Sequence, residues 1–256
     1  MVREAFTDSR SRIQWAKESL ADFERCARIY FRRTPYELIV EPDSHGIHER
    51  HKLRFGKPLP LALTKYAVHA VEDLRSALDL AACEIARLNG GISIEEVHFP
   101  FSKSSADFKS RINSACRGFP QEIKQLFASY EPYAGGSDLL FAIKDLGNAS
   151  KHKIIVSVAS IVGKSLPYIE SSASLTRPIT LFEGYNSEEN EITYAVTQRG
   201  LQWKYQAHFS FQLCFGNVGA IEGRSVRDNI DAMIGAVTTI VDEIEAETRR
   251  LGLLAS

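Results

Sequence analysis

The side chains best suited to chemistry stand near the end of one predicted helix, in the segment DLGNASKHKIIV that starts at Asp145. Asp145, Asn148 and His152 follow one another at i, i+3 and i+7, so they share one stripe of a helix beside its apolar arc. An imidazole on such a stripe can transfer protons near neutral pH. The pattern predicts a site centred on His152, with Asp145 and Lys151 as binding residues. The alternative is a polar helix end, in which Lys151, His152 and Lys153 interact favourably with the negative end of the helix dipole.

A second polar stripe lies on the predicted helix YAVHAVEDLRSALDLAACEIARL. His69 and Asp73 are one turn apart, a spacing that suits an oriented base or two ligands of a metal ion. The alternative is a solvated helix face with a local ion pair. The opposite face is apolar, and its residues are Ala70, Val71, Leu74, Ala77, Leu78, Ala81, Ile85 and Leu88. We therefore expect this helix to pack by one face and to present His69 and Asp73 on the other.

The segment LGNASKH resembles the helix-borne motif of HEPN-domain proteins, in which an Arg and a polar residue, often Asn, precede a His. Members of that family form compact helical bundles that usually dimerise, and many are metal-independent endoribonucleases. The resemblance implies that His152 takes the place of the catalytic His and Asn148 that of the polar residue. Gly147 stands where the family has its Arg, so the planar cation that would hold the scissile phosphate is missing from this position.

The two helices together also resemble a pairing in uncharacterised bacterial proteins, where an LRSALD-like helix precedes a helix that ends in Asn-x-x-Lys-His. This resemblance implies that the two helices pack together and that Arg75 or Asp79 faces His152. Arg75 would then supply, from a different helix, the cation that Gly147 does not.

Other motifs in the chain favour structural roles. His45, His48 and His51 in SHGIHERHK are residues that bind Zn²⁺ or Ni²⁺, but on a strand His48 would point away from the other two, which favours a polar hairpin loop. The segments GGISIEE, GGSDLL and GNVGAIEGRS match neither the P-loop nor the GxGxxG pattern and indicate turns and caps. The sequence therefore predicts no metal site and no cofactor.

Composition narrows the classes of function. The 256 residues carry a net charge of −1, which argues against binding to nucleic acid or membrane surfaces through bulk charge. Charge is locally uneven, since residues 98–130 hold five Lys/Arg against two Asp/Glu. This excess suits RNA or an acidic partner, and the alternatives are self-association or chance variation without a function. The four cysteines are widely spaced, as is typical of reduced thiols, and no apolar run is long enough to span a bilayer. We expect a soluble cytoplasmic protein without a membrane partner.

The first half of the chain is predicted to be mostly helical. A helix capped by Asp8 or Ser9 precedes a hairpin formed by YELIVEP and HKLRFGKP. A long helix then extends from about Pro60 to Leu88, where NGG ends it.

Shorter helices are predicted at 106–116 and 121–130, and Ser137 is predicted to cap the helix that carries LGNASKH. Alternating patterns then predict five strands, in KIIVSVASIV, LPYIESS, RPITLFEG, EITYAVTQ and QAHFSFQLCF. A final amphipathic helix is predicted in VRDNIDAMIGAVTTIVDEIEAE.

This order of elements predicts an α+β fold: a helical bundle packed with an antiparallel sheet formed mainly by residues 153–215, plus an N-terminal hairpin. The absence of a flexible linker favours a single domain over residues 1–256. The alternative is a division near Lys153, into a mostly helical part (1–152) and a strand-rich part with a C-terminal helix (153–256).

Two classes of function fit these patterns. The favoured one is a non-enzymatic binding or interaction module with a HEPN-like helical core. The alternative is a metal-independent endoribonuclease, or an RNA or nucleotide binder, in which His152 acts as acid or base, Asn148 orients it or the phosphate, and Arg75 supplies a cation. A second copy of the chain and RNA or a nucleotide are the expected partners.

Overall fold

The computed structural model describes residues 4–90, 93–149, 157–165, 170–171, 185–186, 188–200, 203–204, 208–216 and 221–254. Within these residues, six α-helices and eight β-strands belong to two compact units. Unit 1 consists of Met1–Glu24, Thr64–Val156 and Phe215–Ser256, and unit 2 of Arg25–Leu63 and Ser157–Cys214. The helices and the antiparallel sheet confirm the predicted α+β class.

The elements have the following bounds. The helices are α1 (Thr7–Arg32), α2 (Leu61–Asn89), α3 (Ser105–Ala115), α4 (Gln121–Ser129), α5 (Asp138–Ala149) and α6 (Val226–Arg250), with one 3₁₀ turn at Ile94–Glu96. The strands are β1 (Tyr36–Pro42), β2 (His48–Phe55), β3 (Ser157–Ser165), β4 (Glu170–Ser171), β5 (Tyr185–Asn186), β6 (Glu191–Gln198), β7 (Trp203–Lys204) and β8 (His208–Phe215).

Helices α2 and α6 supply much of the core of unit 1. The apolar stripe predicted on α2 is buried from Ala70 to Ile85, and Leu88 at its end is half-buried. The predicted stripe of α6 is buried along its length, and its residues are Val226, Ile230, Met233, Val237, Ile240 and Ile244. Helix α6 contacts α4 and α5. Because α2 buries one face, its other face is available for polar side chains.

Caps and a glycine fix the ends of the helices in unit 1. At the start of α3, Ser104 Oγ accepts a hydrogen bond of 3.2 Å from the N–H of Asp107. At the start of α5, Ser137 Oγ accepts one of 3.4 Å from the N–H of Leu140, which confirms the predicted cap. Gly90 follows α2 with a φ of 72°, a conformation that glycine adopts at little cost. These local features fix where α3 and α5 begin and where α2 ends.

Unit 2 contains a four-stranded sheet with the order β1-β2-β6-β5. Strands β1 and β2 form the predicted hairpin, with Tyr36 opposite Phe55 and Pro42 opposite Glu49. Strand β2 also pairs antiparallel with β6, and β6 with β5. The hairpin therefore makes half of this sheet, whereas the sequence suggested an addition to a sheet built mainly from residues 153–215. Strands β3 and β8 pair with each other, as do β4 and β7.

Some predicted details differ from the structure. Helix α1 begins at Thr7, so Asp8 and Ser9 lie in its first turn and do not cap it. Three of the five predicted strand segments contain β4, β6 and β8, and a fourth, KIIVSVASIV, overlaps the first part of β3. The fifth, RPITLFEG, lies outside the described residues. Strands β5 and β7 are only two residues long, which is too short to give an alternating pattern.

The two units are each built from separated segments. Unit 2 joins residues 25–63 with residues 157–214, because β2 of the hairpin pairs with β6. A single domain over residues 1–256 and the alternative division near Lys153 both stay predictions.

Candidate anion-binding site

A cleft of about 580 Å³ lies in unit 1, between α2, α3, α5 and the segment that follows the 3₁₀ turn. We call it the basic cleft. Its lining residues are Glu72, Arg75, Ser76, Asp79, His98, Phe99, Phe101, Arg111, Lys144 and Gly147. Three cationic side chains thus share the cleft with two carboxylates, one imidazole and two aromatic residues.

Helix α2 contributes one wall of the basic cleft. Glu72, Arg75, Ser76 and Asp79 are spaced at i, i+3, i+4 and i+7, which places them on one stripe of the helix. The buried apolar stripe from Ala70 to Ile85 occupies the other side. Packing of the apolar side therefore turns these four polar side chains toward the cleft.

Asp79 anchors the opposite wall. Its Oδ1 accepts a hydrogen bond of 2.9 Å from the backbone N–H of Phe99. Farther along the same segment, the N–H of Ser102 donates to the carbonyl of Pro132 at 3.0 Å. Burial raises the pKa of the Asp79 carboxyl, and the Phe99 hydrogen bond and the neighbouring cations offset that effect only in part. Asp79 is therefore a carboxyl group held in a fixed position by the backbone.

Arg75 lies directly against Gly147. A Cβ added at Gly147 would stand 3.1 Å from Arg75 Nη1 and 3.2 Å from Arg75 Cδ, closer than ordinary van der Waals contact. The guanidinium carbon of Arg75 is also 6.0 Å from the centre of the Phe101 ring, within cation–π range. Because position 147 has no side chain, the Arg75 side chain can pack against the backbone of α5. This contact joins α2, which carries the LRSALD segment, to α5, which carries the first residues of LGNASKH.

Arg111 and Lys144 complete the positive wall. Neither lies within salt-bridge distance of a carboxylate among the residues that the structure describes, although the charge of Arg111 acts on Asp79. Lys144 Nζ lies 4.9 Å from the centre of the Phe141 ring. Burial lowers the pKa of Lys144, Asp145 opposes this, and the charges of Lys103 and Arg75 lower it further. A lysine beside other cations gains stability when an anion binds, because the anion relieves their mutual repulsion. The arrangement is therefore suited to holding an oxyanion such as a phosphate.

The residues of the LGNASKH segment fall partly within the described structure. Asp145 is half-buried on α5 and lies near Lys144, but it does not line the cleft. Asn148 belongs to the last turn of α5. Lys151 and His152 lie outside the described residues.

His69 and Asp73 lie on α2 away from the basic cleft. His69 is exposed, and Asp73 Oδ1 accepts a hydrogen bond of 2.8 Å from Arg12 Nη1 on α1. Asp73 thus pairs with a neighbouring helix, and it does not pair with His69 one turn before it.

The three histidines of SHGIHERHK point to different partners in unit 2. His48 Nδ1 lies 3.2 Å from Asp43 Oδ2, and His51 Nε2 lies 2.9 Å from Thr197 Oγ1 in the interior. His45 is exposed in the hairpin turn. Within the described part of the chain, no group of three or more His, Cys, Asp or Glu side chains is placed to hold a metal ion.

Sequence patterns do not single out His98, Arg111 or Lys144. The local excess of basic residues over 98–130 is a signal for the first two positions, because it marks the segment that forms one side of the cleft. Lys144 gives a weaker signal, as a single cation in the apolar stretch LLFAIKDL.

No family model, curated protein or solved structure matches this chain. None of the helices in the described residues combines the length and apolar composition that crossing a bilayer requires.

Proposed function

We propose that this chain is a non-enzymatic binding module whose basic cleft takes a phosphate-bearing ligand of the nucleotide class. The observation that carries the proposal is the position of Arg111 and Lys144, which line one cleft and lie beyond salt-bridge distance of the carboxylates among the described residues. Lys144 is half-buried and Arg111 is exposed, so an external anion can reach both cations. Burial disfavours the charged form of Lys144, and a bound anion would offset that effect.

The size and lining of the basic cleft support an organic ligand. A volume of about 580 Å³ lies within the range of small-molecule sites and exceeds what one oxyanion needs. Phe99 is fully buried and Phe101 is 8% exposed, so the aromatic residues form the floor of the cleft and offer only a small apolar edge beside the cations. A ligand with a phosphate and an organic group larger than the oxyanion matches the volume and the charge of the cleft.

The resemblance to HEPN-domain proteins indicates the kind of ligand and the partner to expect. It favours RNA or a free nucleotide as the source of the phosphate, and a second copy of the chain as a partner. Cys26, Cys83, Cys116 and Cys214 are not joined by disulfide bonds, which is compatible with a protein of the reducing cytoplasm.

Calorimetric titration with adenosine 5′-monophosphate (AMP) tests the proposal. Arg111→Gln and Lys144→Gln each remove one charge-assisted contact, so we expect each to weaken binding by about tenfold or more. Arg117→Gln and Lys124→Gln are matched controls, since these cations of unit 1 do not line the cleft. Equal losses in cleft and control variants, or no binding by the wild type, would contradict the proposal.

A second candidate function is metal-independent RNA cleavage by the same part of unit 1. The observation that favours it is the position of Arg75 on Gly147, where HEPN-domain proteins carry their Arg. In this function Arg75 would hold the scissile phosphate, Asn148 would orient it, and His152 would transfer the proton.

The nuclease candidate is tested with labelled single-stranded RNA in the presence of EDTA. We expect cleavage by the wild type that is lost in His152→Ala and in Arg75→Gln but is kept in His45→Ala, a control in the exposed hairpin turn. If the wild type leaves the RNA intact, this second candidate is eliminated and only the binding function stands.

A further inference from the structure

We infer that Asp79 makes the basic cleft select ribose phosphates, which carry hydroxyl groups beside the phosphate, over bare oxyanions and deoxyribose phosphates. The inference rests on the proposed function, because it assigns the class of ligand that the cleft accepts.

The first reason is that a carboxylate lines a cleft otherwise suited to anions. Asp79 and the three cations share the same cavity. A carboxylate accepts hydrogen bonds and repels an oxyanion that has no proton to donate. Asp79 therefore disfavours sulfate or fully ionised phosphate, and it favours a ligand that presents an O–H donor at this point.

The second reason is that the Asp79 carboxylate retains acceptor capacity. Its Oδ1 receives the N–H of Phe99, which fixes the orientation of the group. An ionised carboxylate has about four acceptor positions on two oxygens. Asp79 can therefore accept from one or two ligand hydroxyls without giving up its bond to the backbone.

The third reason is the spacing of charge along α2. Arg75 and Asp79 are four residues apart on one face, which separates them by about 6 Å along the helix axis. Side chains one turn apart are neighbours on the helix surface, so a ligand that contacts both carries its anion and its hydroxyl donor within reach of one helical turn. Within a ribonucleotide the phosphate and the vicinal hydroxyls meet this requirement, and a carboxylate is a common acceptor for ribose hydroxyls.

The test compares four ligands on the full chain by calorimetric titration: AMP, ribose 5-phosphate, 2′-deoxyadenosine 5′-monophosphate and inorganic phosphate. We expect AMP to bind about tenfold more tightly than its deoxy analogue, as loss of one hydrogen bond to a charged group predicts. Ribose 5-phosphate shares the ribose hydroxyls, so we expect it to bind more tightly than inorganic phosphate. Its affinity relative to AMP separates recognition of the sugar phosphate from any contribution of the base.

The matched variants are Asp79→Asn and, as the control, Glu84→Gln. Asn keeps an oxygen for the Phe99 N–H but replaces the second acceptor by a donor, so we expect the preference for ribose to disappear. Glu84 pairs with Arg87 outside the cleft, and its substitution should leave the preference unchanged.

The outcomes separate this inference from the proposed function. Equal affinity for AMP and its deoxy analogue, or a ribose preference that persists in Asp79→Asn, overturns the inference and leaves phosphate binding in place. Absence of binding for all four ligands overturns the proposed function and the inference together. The wild-type ligand series decides the first point even if a variant fails to fold.

Discussion

At the residue scale, Arg75 of α2 packs against Gly147 of α5, and this contact keeps the Arg75 guanidinium in the basic cleft. A side chain at position 147 would occupy the space that Arg75 Nη1 and Cδ now border. Glycine inside a helix usually lowers the free energy of unfolding. At position 147 it leaves the space that the Arg75 side chain occupies.

Gly147→Ala tests this role. The higher helix propensity of alanine would stabilise α5 by about 1 kcal/mol. Its Cβ would also force Arg75 to move by a few tenths of an ångström. We expect a gain in the free energy of unfolding well below that value, together with weaker AMP binding. Urea unfolding and calorimetric titration measure the two effects.

Gly235→Ala is the control, because a Cβ added at this exposed position of α6 meets no atom within 4 Å. It should gain the full helix propensity and leave AMP binding unchanged. Equal stabilisation by both substitutions, with no change in affinity, would show that Gly147 has no special role for Arg75.

At the element scale, helix α3 brings Arg111 to the cleft, and a reciprocal cap fixes its start. Ser104 Oγ accepts from the N–H of Asp107 and donates to Asp107 Oδ2 at 2.8 Å. The cap satisfies a backbone donor that the first turn would otherwise leave unpaired. It therefore helps to set the position of Arg111 two turns later.

Ser104→Ala should lower the free energy of unfolding by about 1 kcal/mol. Ser110→Ala, at an exposed interior position of the same helix, should be neutral or slightly stabilising because alanine has the higher helix propensity. Thermal or urea unfolding of both variants measures the difference. Identical stabilities would mean that the cap contributes nothing to α3.

The elements themselves could be predicted largely from sequence, since strong periodicity and caps determine them locally. The stripes of α2 and α6, the hairpin and the Ser137 cap are examples. The start of α1 could not be located in this way, because Asp8 and Ser9 are both good cap residues and the helix begins just before them. The pairing of β2 with β6 joins distant segments and leaves no local signal.

At the scale of the whole molecule, the chain has no large net charge, but several positively charged side chains are grouped in the basic cleft. The net charge of the chain is −1, yet three cationic side chains meet two carboxylates in one cleft of unit 1. The sequence suggested Arg75 as a cation near the LGNASKH helix, but it could not reveal Arg111 and Lys144 as its neighbours. Those residues come from separate helices, and only the tertiary packing of α2, α3 and α5 brings them together.

The most direct measurement is the AMP affinity of the wild type, Arg111→Gln and Arg117→Gln, determined by calorimetry at low and at physiological salt. We predict measurable binding by the wild type and the Arg117→Gln control, a loss of about tenfold or more in Arg111→Gln, and weaker binding as salt screens the cleft charges. Failure of the wild type to bind AMP, or equal affinity for all three proteins, would contradict the assignment of the basic cleft as a phosphate site.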